Sequence, residues 1–373
     1  MADKKIRVAV LYGGRSGEHD VSLRSAASVI RNLDRDRFEV IPIGIDKQGC
    51  WRLQDLSKFG PDDVSMPMDV DAPQVMVLPH PSKESSIGGN LVAVSGGSST
   101  LFHMAFPVLH GSFCEDGTLQ GLLEMADVPY VGCGVLASAI GMDKDVAKRL
   151  AQAAGIPVVP WVKVDLDDWK FRRESLVQEV HDKLGFPCFV KPANAGSSVG
   201  VQKIINPARL GLAIQDTFKY DTKILIEKAI IAREIEVSVL ELIDSPEGPR
   251  VSVPGEIEPT HEFYSYEAKY LDDNGARLSI PAKLRDDQTQ EIQRMARETF
   301  KILGCEGMAR VDFFVDRFKG TLYLNEINTI PGFTSISMYP KMWEASGLPY
   351  KELLSQLVDL ALNRHKIRRK LVR

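Results

Sequence analysis

The 373-residue sequence has no marked excess of charge, because 46 basic side chains are balanced by 50 acidic ones. This balance gives no general electrostatic reason to expect nucleic acid or an anionic membrane as a partner. The sequence also lacks any apolar stretch near the ~18 residues of a membrane-spanning helix, and its N-terminus lacks the apolar segment and cleavage site of a signal peptide. We therefore expect a soluble, cytoplasmic protein.

Cysteine is scarce, and two common nucleotide-binding motifs are missing. The five cysteines show no CxxC or Cys/His spacing, which argues against a disulfide framework and against a zinc site. No GxxxxGK[ST] occurs, so any bound ATP would not be held by a P-loop. The full GxGxxG of a dinucleotide-binding fold is missing as well.

The first part of the sequence alternates between apolar runs and helical patterns. Residues 6–12 form a continuous apolar run that ends at two glycines, and a helical spacing of apolar residues follows. Residues 38–46 and 101–111 repeat the buried-strand pattern, so the first ~120 residues predict an α/β layer. A helix over 143–155 begins a second domain, and strands predominate from residue 234. At ~150 residues per domain, the length allows two or three domains.

The stretch FVKPANAGSSVGV, residues 189–201, places a lysine and a Gly/Ser loop between two apolar runs. GSSVG matches the G-x-S-x-G elbow of serine hydrolases, with Ser198 as nucleophile. That elbow must lead into a helix, whereas VGVQKII alternates and is β-branched, which favours a hairpin. In a hairpin, the N–H groups and hydroxyls of the loop could cradle a phosphate together with Lys191. An ordinary polar turn beside a lysine stays open as a third interpretation.

A second motif is the hairpin MARVDFFVDRFKGTLYLNEIN, residues 308–328. Side chains i and i+2 of a strand share a face, so Arg310 lies beside Asp312, and Glu326 lies beside Asn328. With DRFKG as the turn, Asp312 would lie nearly opposite Glu326. Two carboxylates and a carboxamide suit Mg²⁺ that bridges ATP phosphates, and two close acids would repel each other without a cation. A surface salt-bridge ladder that uses Arg310 is the alternative.

Further motifs give the chain a family resemblance. It resembles the ATP-grasp ligases, in which two sheets close on ATP, through KPANAGSSVGV, ILIEKAIIAREIEV, ARVDFF and NEINTIPGFTSISMYP. More narrowly, it resembles the D-alanine–D-alanine ligase family over about residues 6–360, through GGRSGEHDVSL, LHGSFCEDGTLQG, GMDKDVAKRL and FYSYEAKYL. The resemblance implies a mixed α/β and α+β chain with a three-domain ATP-grasp fold, in which two sheets sandwich ATP. The domains would be an N-terminal parallel α/β substrate domain (1–125), a central domain (126–232) and a C-terminal catalytic domain (233–373).

The resemblance also implies the reaction. ATP would phosphorylate the carboxylate of a first D-alanine, and the amine of a second D-alanine would attack the acyl phosphate. Two Mg²⁺ ions, with Mn²⁺ as a possible substitute, would be held by Asp312, Glu326 and Asn328 and would clamp the oxygens of the in-line transfer. The implied partners are ATP and D-alanine, and the implied assembly is a homodimer.

For ATP, the resemblance implies a set of binding residues. Lys144 and Lys191 would neutralise phosphates, and Lys269 would reach the γ-phosphate when the polar loop of residues 258–279 closes. Glu227 would accept the exocyclic amine of adenine, and Glu234 would take ribose hydroxyls. The backbone of Ala229 and Ile230 would pair with the ring edge, and Phe314 would pack on the base. The whole set is Lys144, Lys191, Ser197, Ser198, Glu227, Ala229, Ile230, Glu234, Phe263, Lys269, Phe314, Asn325 and Glu326.

For the amino acids, the resemblance implies that Glu18 pairs with the ammonium of the first D-alanine and bonds to Ser197, which in turn meets Tyr270. Arg310 and the N–H of Gly332 would form an oxyanion site. The implied catalytic residues are Glu18, Ser197, Tyr270, Arg310 and Gly332, and the implied substrate residues are Glu18, Val21, His110, Arg310, Gly332, Ser337 and Met338. His110 could equally be a core histidine.

Three positions bear on substrate choice and on departures from the family pattern. Tyr270 is typical of members that use D-alanine as second substrate. Cys114 stands where glycine is usual, and Met338 stands where leucine is also found, which leaves the shape of the second pocket open. Two other function classes are the alternatives: a serine hydrolase that uses Ser198, and a nucleotide-binding regulator without turnover. The presence of every implied acidic and basic group argues against the regulator.

Overall fold

The computed structural model describes residues 5–81, 88–95, 99–259 and 276–372. Its N-terminal unit is a four-stranded sheet in the order β3-β2-β1-β7, made of β1 (Ile6–Gly13), β2 (Phe38–Ile45), β3 (Trp51–Leu53) and β7 (Met104–Pro107). Strands β2 and β7 run parallel to β1, and β3 is an antiparallel edge. The predicted parallel α/β layer is therefore confirmed.

The turn after β1 needs glycine for a steric reason. Gly13 has a φ of +90°, and a Cβ built there would lie 2.2 Å from the carbonyl oxygen of Ile45. Helix α1 (His19–Asn32) follows this turn and buries Ala26 and Ile30 in one cluster with residues of β1, and Val21 is buried as well. The unit also contains a 3-10 helix (Leu56–Lys58) and α2 (Thr118–Met125).

The strand predicted over 101–111 is divided between two sheets. Strand β6 (Ser99–Phe102) belongs to a small antiparallel sheet with β4 (Val75–Val77) and β5 (Gly89–Ala93), whereas β7 begins at Met104. His103 marks the break, because its N–H donates to Arg7 O at 2.8 Å and its Nδ1 accepts from Arg7 N–H at 2.7 Å. Apolar composition alone did not reveal this change of sheet.

The central unit has an antiparallel sheet and a core of its own. The sheet runs β10-β9-β11-β8, with β8 (Trp161–Asp165), β9 (Cys188–Pro192), β10 (Gln202–Ile204) and β11 (Lys223–Lys228). It carries α5 (Leu166–Phe171), α6 (Arg173–Lys183), a 3-10 helix (Pro207–Arg209) and α7 (Leu210–Thr217). The buried apolar residues of this unit come from residues 162–226 alone.

The C-terminal unit is a larger antiparallel sheet in the order β15-β14-β12-β16-β17, with β13 also paired to β12. Its strands are β12 (Ala232–Leu240), β13 (Arg250–Val251), β14 (Gly255–Pro259), β15 (Ala276–Ser279), β16 (Met308–Asp316) and β17 (Leu322–Asn328). The remaining helices are α3 (Val135–Met142), α4 (Lys144–Ala153), α8 (Asp286–Ile302), α9 (Met338–Ala345) and α10 (Tyr350–Arg368).

Two cores cross the units. In the first, α9 and α10 pack with α1, β1 and β7, so that Trp343 and Leu357 lie in one cluster with Tyr12 and Phe106. In the second, α3 and α4 join α8 and strands β12, β16 and β17. Helix α4 therefore rests on the C-terminal sheet. The domain boundaries after residues 125 and 232 stay predictions.

Across the described ranges, no helix combines the length and the apolar character needed to cross a bilayer.

Candidate functional site

The Gly/Ser loop joins two strands of a hairpin. Strand β9 pairs antiparallel with β10, with Val190 opposite Gln202. Ser197 and Ser198 occupy the left-handed region, at φ values of 48° and 60°. A strand follows the loop where the hydrolase elbow requires a helix, so the structure contradicts that reading of Ser198.

The loop touches the N-terminal unit through Glu18. Ser197 Oγ donates a hydrogen bond to Glu18 Oε1, a contact that the resemblance predicted. Glu18 is buried just before α1. A Cβ added at Gly196 would lie 3.0 Å from Glu18 Oε2, and one at Gly111 would lie 2.8 Å from the same oxygen. Glycines on two segments therefore leave the space that this carboxylate occupies.

Lys144 connects the loop to the acidic hairpin. It is the first residue of α4, where Asp143 caps the helix by accepting from Val146 N–H. Its backbone N–H donates to Ala193 O at 3.1 Å, and its Nζ donates to Ala195 O at 2.7 Å. The same Nζ lies 3.6 Å from Glu326 Oε2. One cation thus spans the two predicted motifs.

The hairpin of β16 and β17 has the predicted facing residues. Asp312 pairs with Glu326, and Arg310 pairs with Asn328. The register shifts next to this pair, because Phe313 faces Leu324 and leaves Asn325 as an extra residue. Such a β-bulge allows Leu324 and Ile327, three positions apart, both to stay in the core while Glu326 faces Asp312.

Arg310 is bound within this acidic patch. Its Nε and Nη2 donate to the two Asp312 oxygens at 2.8 and 2.7 Å, and its Nε lies 3.0 Å from Glu236 Oε2. Asn328 Nδ2 also donates to Asp312, at 3.0 Å. The ion pairs expected for a salt-bridge ladder are therefore present. The Arg310 and Asp312 side chains are only 20% and 11% exposed, however, which does not fit a ladder on the surface. Sequence reasoning missed Glu236, although the alternation of EIEVSV places it on this face.

The donor set fits Mg²⁺ that is shared with phosphates. Among the described residues, no three His, Cys, Asp or Glu side chains form a ready-made metal cluster. Asp312, Glu326 and Asn328 offer two carboxylates and one amide, all hard oxygen donors. Mg²⁺ is commonly bound by one or two carboxylates together with substrate phosphates and water, so a full protein cage is not required.

The predicted adenine side contains a buried cluster of three charges. Glu227, on β11, lies 2.9 Å from Lys148 Nζ and 2.6 Å from Lys191 Nζ. Burial by itself raises the pKa of Glu227, but the two lysines outweigh it and lower the pKa to about 2. For Lys148, burial lowers the pKa, and the negative charge of Glu227 opposes that shift. Sequence reasoning missed Lys148, which lies one helical turn after Lys144.

The other predicted adenine residues lie after β11 and on strands β12 and β16. Ala229 N–H donates to Pro187 O at 3.1 Å, so pairing with the ring edge would fall to its carbonyl or to Ile230. Glu234 pairs with Phe314 across β12 and β16, on the face that carries Asp312.

The residues predicted to line the first-substrate pocket lie on α1 and in the segment after β7. Val21 and His110 are both buried. His110 Nδ1 donates to Ile330 O at 3.2 Å, so Nε2 accepts from Ser25 Oγ at 3.2 Å. Burial lowers the pKa of His110 against the raising effect of Glu18, which keeps the ring neutral near pH 7. The structure thus satisfies His110 as a core histidine and still places it beside the candidate site.

Glu115 is a second carboxylate near Glu18 that sequence reasoning did not single out. Its Oε2 accepts from Gly111 N–H at 2.7 Å. Burial and the nearby Glu18 raise its pKa to about 8, although the N–H groups of Gly111 and Ile330 oppose the shift. The only signal in the sequence was its place in LHGSFCEDG. Neighbouring Cys114 is buried, and burial raises the pKa of its thiol.

The predicted second-substrate residues lie around the start of α9. Ser337 precedes the helix and its Oγ accepts from Thr334 N–H at 2.9 Å. A Cβ added at Gly332 would lie 2.8 Å from Ser337 Oγ, so these two residues are in close contact. Met338 is buried with Ile257 and Met342. Phe263, Lys269 and Tyr270 lie outside the described residues, as does most of the predicted polar loop.

Comparisons with known proteins agree with this arrangement. Family profiles described as D-ala D-ala ligase N-terminus and D-ala D-ala ligase C-terminus match residues 7–133 and 150–359. The chain is 53% identical to D-alanine–D-alanine ligase A of Bradyrhizobium diazoefficiens, over 100% of this chain and 99% of that protein. It is 49% identical to the D-alanine–D-alanine ligase of Heliobacterium modesticaldum, over 97% and 96%.

Solved structures give the same result. The D-alanine–D-alanine ligase of Coxiella burnetii superposes with a TM-score of 0.80 at 35% identity, covering 98% of this chain and 96% of that one. The VanG D-Ala:D-Ser ligase of Enterococcus faecalis gives a TM-score of 0.81 at 35% identity, covering 96% and 100%. With two profiles, near-complete coverage and shared architecture, the chain belongs to the D-alanine–D-alanine ligase family and has its ATP-grasp fold.

Proposed function

We propose that this chain joins two D-alanine molecules to D-alanyl-D-alanine and converts ATP to ADP and phosphate, for the synthesis of peptidoglycan precursors. The relatives named above support the reaction. The observation that carries the proposal is the position of Lys144, whose Nζ contacts Ala195 O and lies 3.6 Å from Glu326 Oε2. This one cation joins an anion-binding loop to an acidic hairpin, where triphosphate would lie.

In the first step, a carboxylate oxygen of the first D-alanine attacks the γ-phosphorus of ATP, and the bond from that phosphorus to ADP breaks. Both reactants are anions, so the chief task is to offset charge and hold the atoms in line. Glu18 would bind the ammonium, which leaves the substrate carboxylate free to face the phosphates. Lys144 and Lys191 would neutralise the phosphates, with Ser197 and Ser198 in the loop above them.

In the second step, the neutral amine of the second D-alanine attacks the acyl carbon and loses a proton to water, and phosphate leaves with the electron pair of the broken carbon–oxygen bond. Arg310 and the N–H of Gly332 would stabilise the oxyanion of the tetrahedral intermediate. Loss of one such donor typically costs ~2.7 to 4 kcal/mol of barrier. Ser337 and Met338 would adjoin the second D-alanine, and Lys269 and Tyr270 are proposed to complete the site.

Mg²⁺ would be held by Asp312, Glu326 and Asn328, with Mn²⁺ as a possible substitute. When bound, two such ions would polarise the phosphate oxygens and offset the developing charge. Arg310 already bonds to Asp312, so it would position one ligand carboxylate as well as face the intermediate.

The proposal also covers the domains, the cellular location and the assembly. The working unit would comprise three domains (1–125, 126–232 and 233–373), would act in the cytoplasm and would assemble as a homodimer.

A coupled phosphate-release assay tests the function. With ATP and Mg²⁺, D-alanine should release phosphate and form the dipeptide, whereas L-alanine should not. D-serine and D-lactate as second substrates should be poorer than D-alanine; D-serine is included because of the VanG similarity. Stoichiometric labelling of Ser198 by a serine-hydrolase reagent, or ATP binding without phosphate release with any D-amino acid, would contradict the proposal.

A further inference from the structure

Lys148 is a buried cation that the proposed reaction does not use. Its side chain is 2% exposed, and its Nζ lies 2.9 Å from Glu227 Oε1. The same Nζ donates to Val159 O at 3.4 Å and lies 5.6 Å from the centre of the Trp161 ring. A buried ammonium is strongly unfavourable without a partner, and Glu227 is the anion in contact with it.

Glu227 has a second lysine, which makes the cluster cationic. Its Oε2 lies 2.6 Å from Lys191 Nζ. Two ammonium groups and one carboxylate carry a net charge of +1 in a site screened from water. One lysine is enough to balance Glu227, so the other has charge available for a ligand.

The fold decides which lysine can leave. Lys148 lies inside α4, and that helix packs in the core of the C-terminal sheet. Lys191 lies near the end of β9, on the same side of the central sheet as Glu227, and the Gly/Ser loop follows it directly. Its side chain is 11% exposed. A triphosphate under that loop would compete with Glu227 for Lys191, whereas the Lys148 side chain is only 2% exposed.

We propose that Lys148 is a positioning residue, the permanent counter-ion of Glu227, and that it sets the preference of the site for adenine. The inference rests on the proposed function, in which ATP phosphates take Lys191. Lys148 then keeps Glu227 ionised, and Glu227 Oε2 becomes available to the purine. A carboxylate only accepts hydrogen bonds, so it favours the 6-amino group of adenine and repels the 6-oxo group of hypoxanthine or guanine.

The test measures binding of ATP and of inosine triphosphate, with Mg²⁺ and without D-alanine, by titration calorimetry. The variants are Lys148→Met, Lys148→Arg and the double variant Lys148→Met/Glu227→Gln. Lys148→Met leaves Lys191 as the sole counter-ion of Glu227. It should weaken ATP binding by about tenfold or more and reduce the preference for ATP over inosine triphosphate by a similar factor.

The other variants separate positioning from packing. Lys148→Arg retains the charge and should keep the preference within about threefold of the original protein. The double variant removes the carboxylate charge and therefore releases Lys191. This variant should bind both nucleotides with similar affinity. The matched control is Lys223→Met, which breaks another pair between β11 and the cap of α4, with Asp143. It should lower the melting temperature and leave the preference unchanged.

Each remaining outcome has a defined meaning. If Lys148→Met weakens both nucleotides equally, or only lowers the melting temperature, the inference is wrong. If Lys148→Met does not fold, Lys148→Gln takes its place, because it removes the charge but can still donate to Glu227: an unchanged preference for ATP in that variant overturns the inference. The binding experiment contains no D-alanine, so it does not depend on the ligase reaction. If the variants bind the nucleotides as expected but the protein releases no phosphate in the ligase assay, only the proposed function is refuted.

Discussion

Ser197 donates a hydrogen bond to the carboxylate of Glu18, which lies 179 residues earlier in the chain. The bond connects the loop of the central unit to the first helix of the N-terminal unit. Since Glu18 is the proposed ammonium partner, the proposed ATP loop and the proposed pocket for the first amino acid would share one carboxylate.

This shared carboxylate predicts a selective kinetic effect. Glu18→Gln removes the charge that faces the ammonium, so the KM for the first D-alanine should rise about tenfold or more, while the KM for ATP changes less than about threefold. Ser197→Ala should act in the same direction with a smaller effect. Ser175→Ala, at an exposed position in α6, is the matched control and should change neither KM. An equal rise in both KM values for Glu18→Gln would contradict the placement.

Metal removal provides the second prediction. A chelator should abolish phosphate release, and added Mg²⁺ should restore it. Glu326→Gln should raise the Mg²⁺ concentration for half-maximal activity by about 10- to 100-fold, because one ligand loses its charge. Asp359→Asn, at a surface ion pair with Arg37, serves as control. Unchanged Mg²⁺ dependence in Glu326→Gln would exclude this residue from the metal site.

The raised pKa of Glu115 predicts a pH-dependent stability. Between pH ~4.5 and about 8, the unfolded chain ionises this glutamate while the folded chain keeps it protonated. The folded state therefore loses stability as pH rises through this window, by at most about 1.4 kcal/mol per pH unit. Glu115→Gln removes this contribution, so its melting temperature should rise relative to the original protein between pH 5.5 and 7.5. If the melting temperatures of the two proteins changed with pH in parallel, the raised pKa of Glu115 would be contradicted.

Gly111 predicts a steric effect. It has a φ of +76°, and an added Cβ would lie 2.8 Å from Glu18 Oε2. Gly111→Ala should therefore displace Glu18, raise the KM for the first D-alanine and lower the melting temperature. Gly155→Ala is the control, since its φ of +80° is similar but its Cβ would meet no atom within 4 Å. It should lower the melting temperature without a change in KM.

The hairpin of β16 and β17 shows how far sequence reasoning reached. The two-residue period of a strand was enough to place Asp312 opposite Glu326 and to separate both from the core. The bulge at Asn325 was not predicted, although the spacing of Leu324 and Ile327 by three residues breaks the period and was a usable signal.

Non-local relationships could not be obtained from local patterns. Lys148 follows Lys144 by one turn, but only the packing of α4 against the C-terminal sheet decides that it is buried beside Glu227. The contact between Glu18 and Ser197 was anticipated from the family resemblance and not from spacing. The change of sheet at His103 depends on a side-chain bond to Arg7, which apolar composition does not encode.

The separate core of residues 162–226 has a mechanical consequence. The chain enters this unit at Pro160 and leaves it at Ala229, so a tilt about that edge would move the Gly/Ser loop relative to the acidic hairpin and leave the core of residues 162–226 intact. Trp161, which packs against the core of the C-terminal sheet, would have to shift with it. The contacts that such a tilt makes and breaks include polar ones, as at Lys144 with Ala195. Charge would then contribute to closure, and nucleotide affinity should weaken as ionic strength rises.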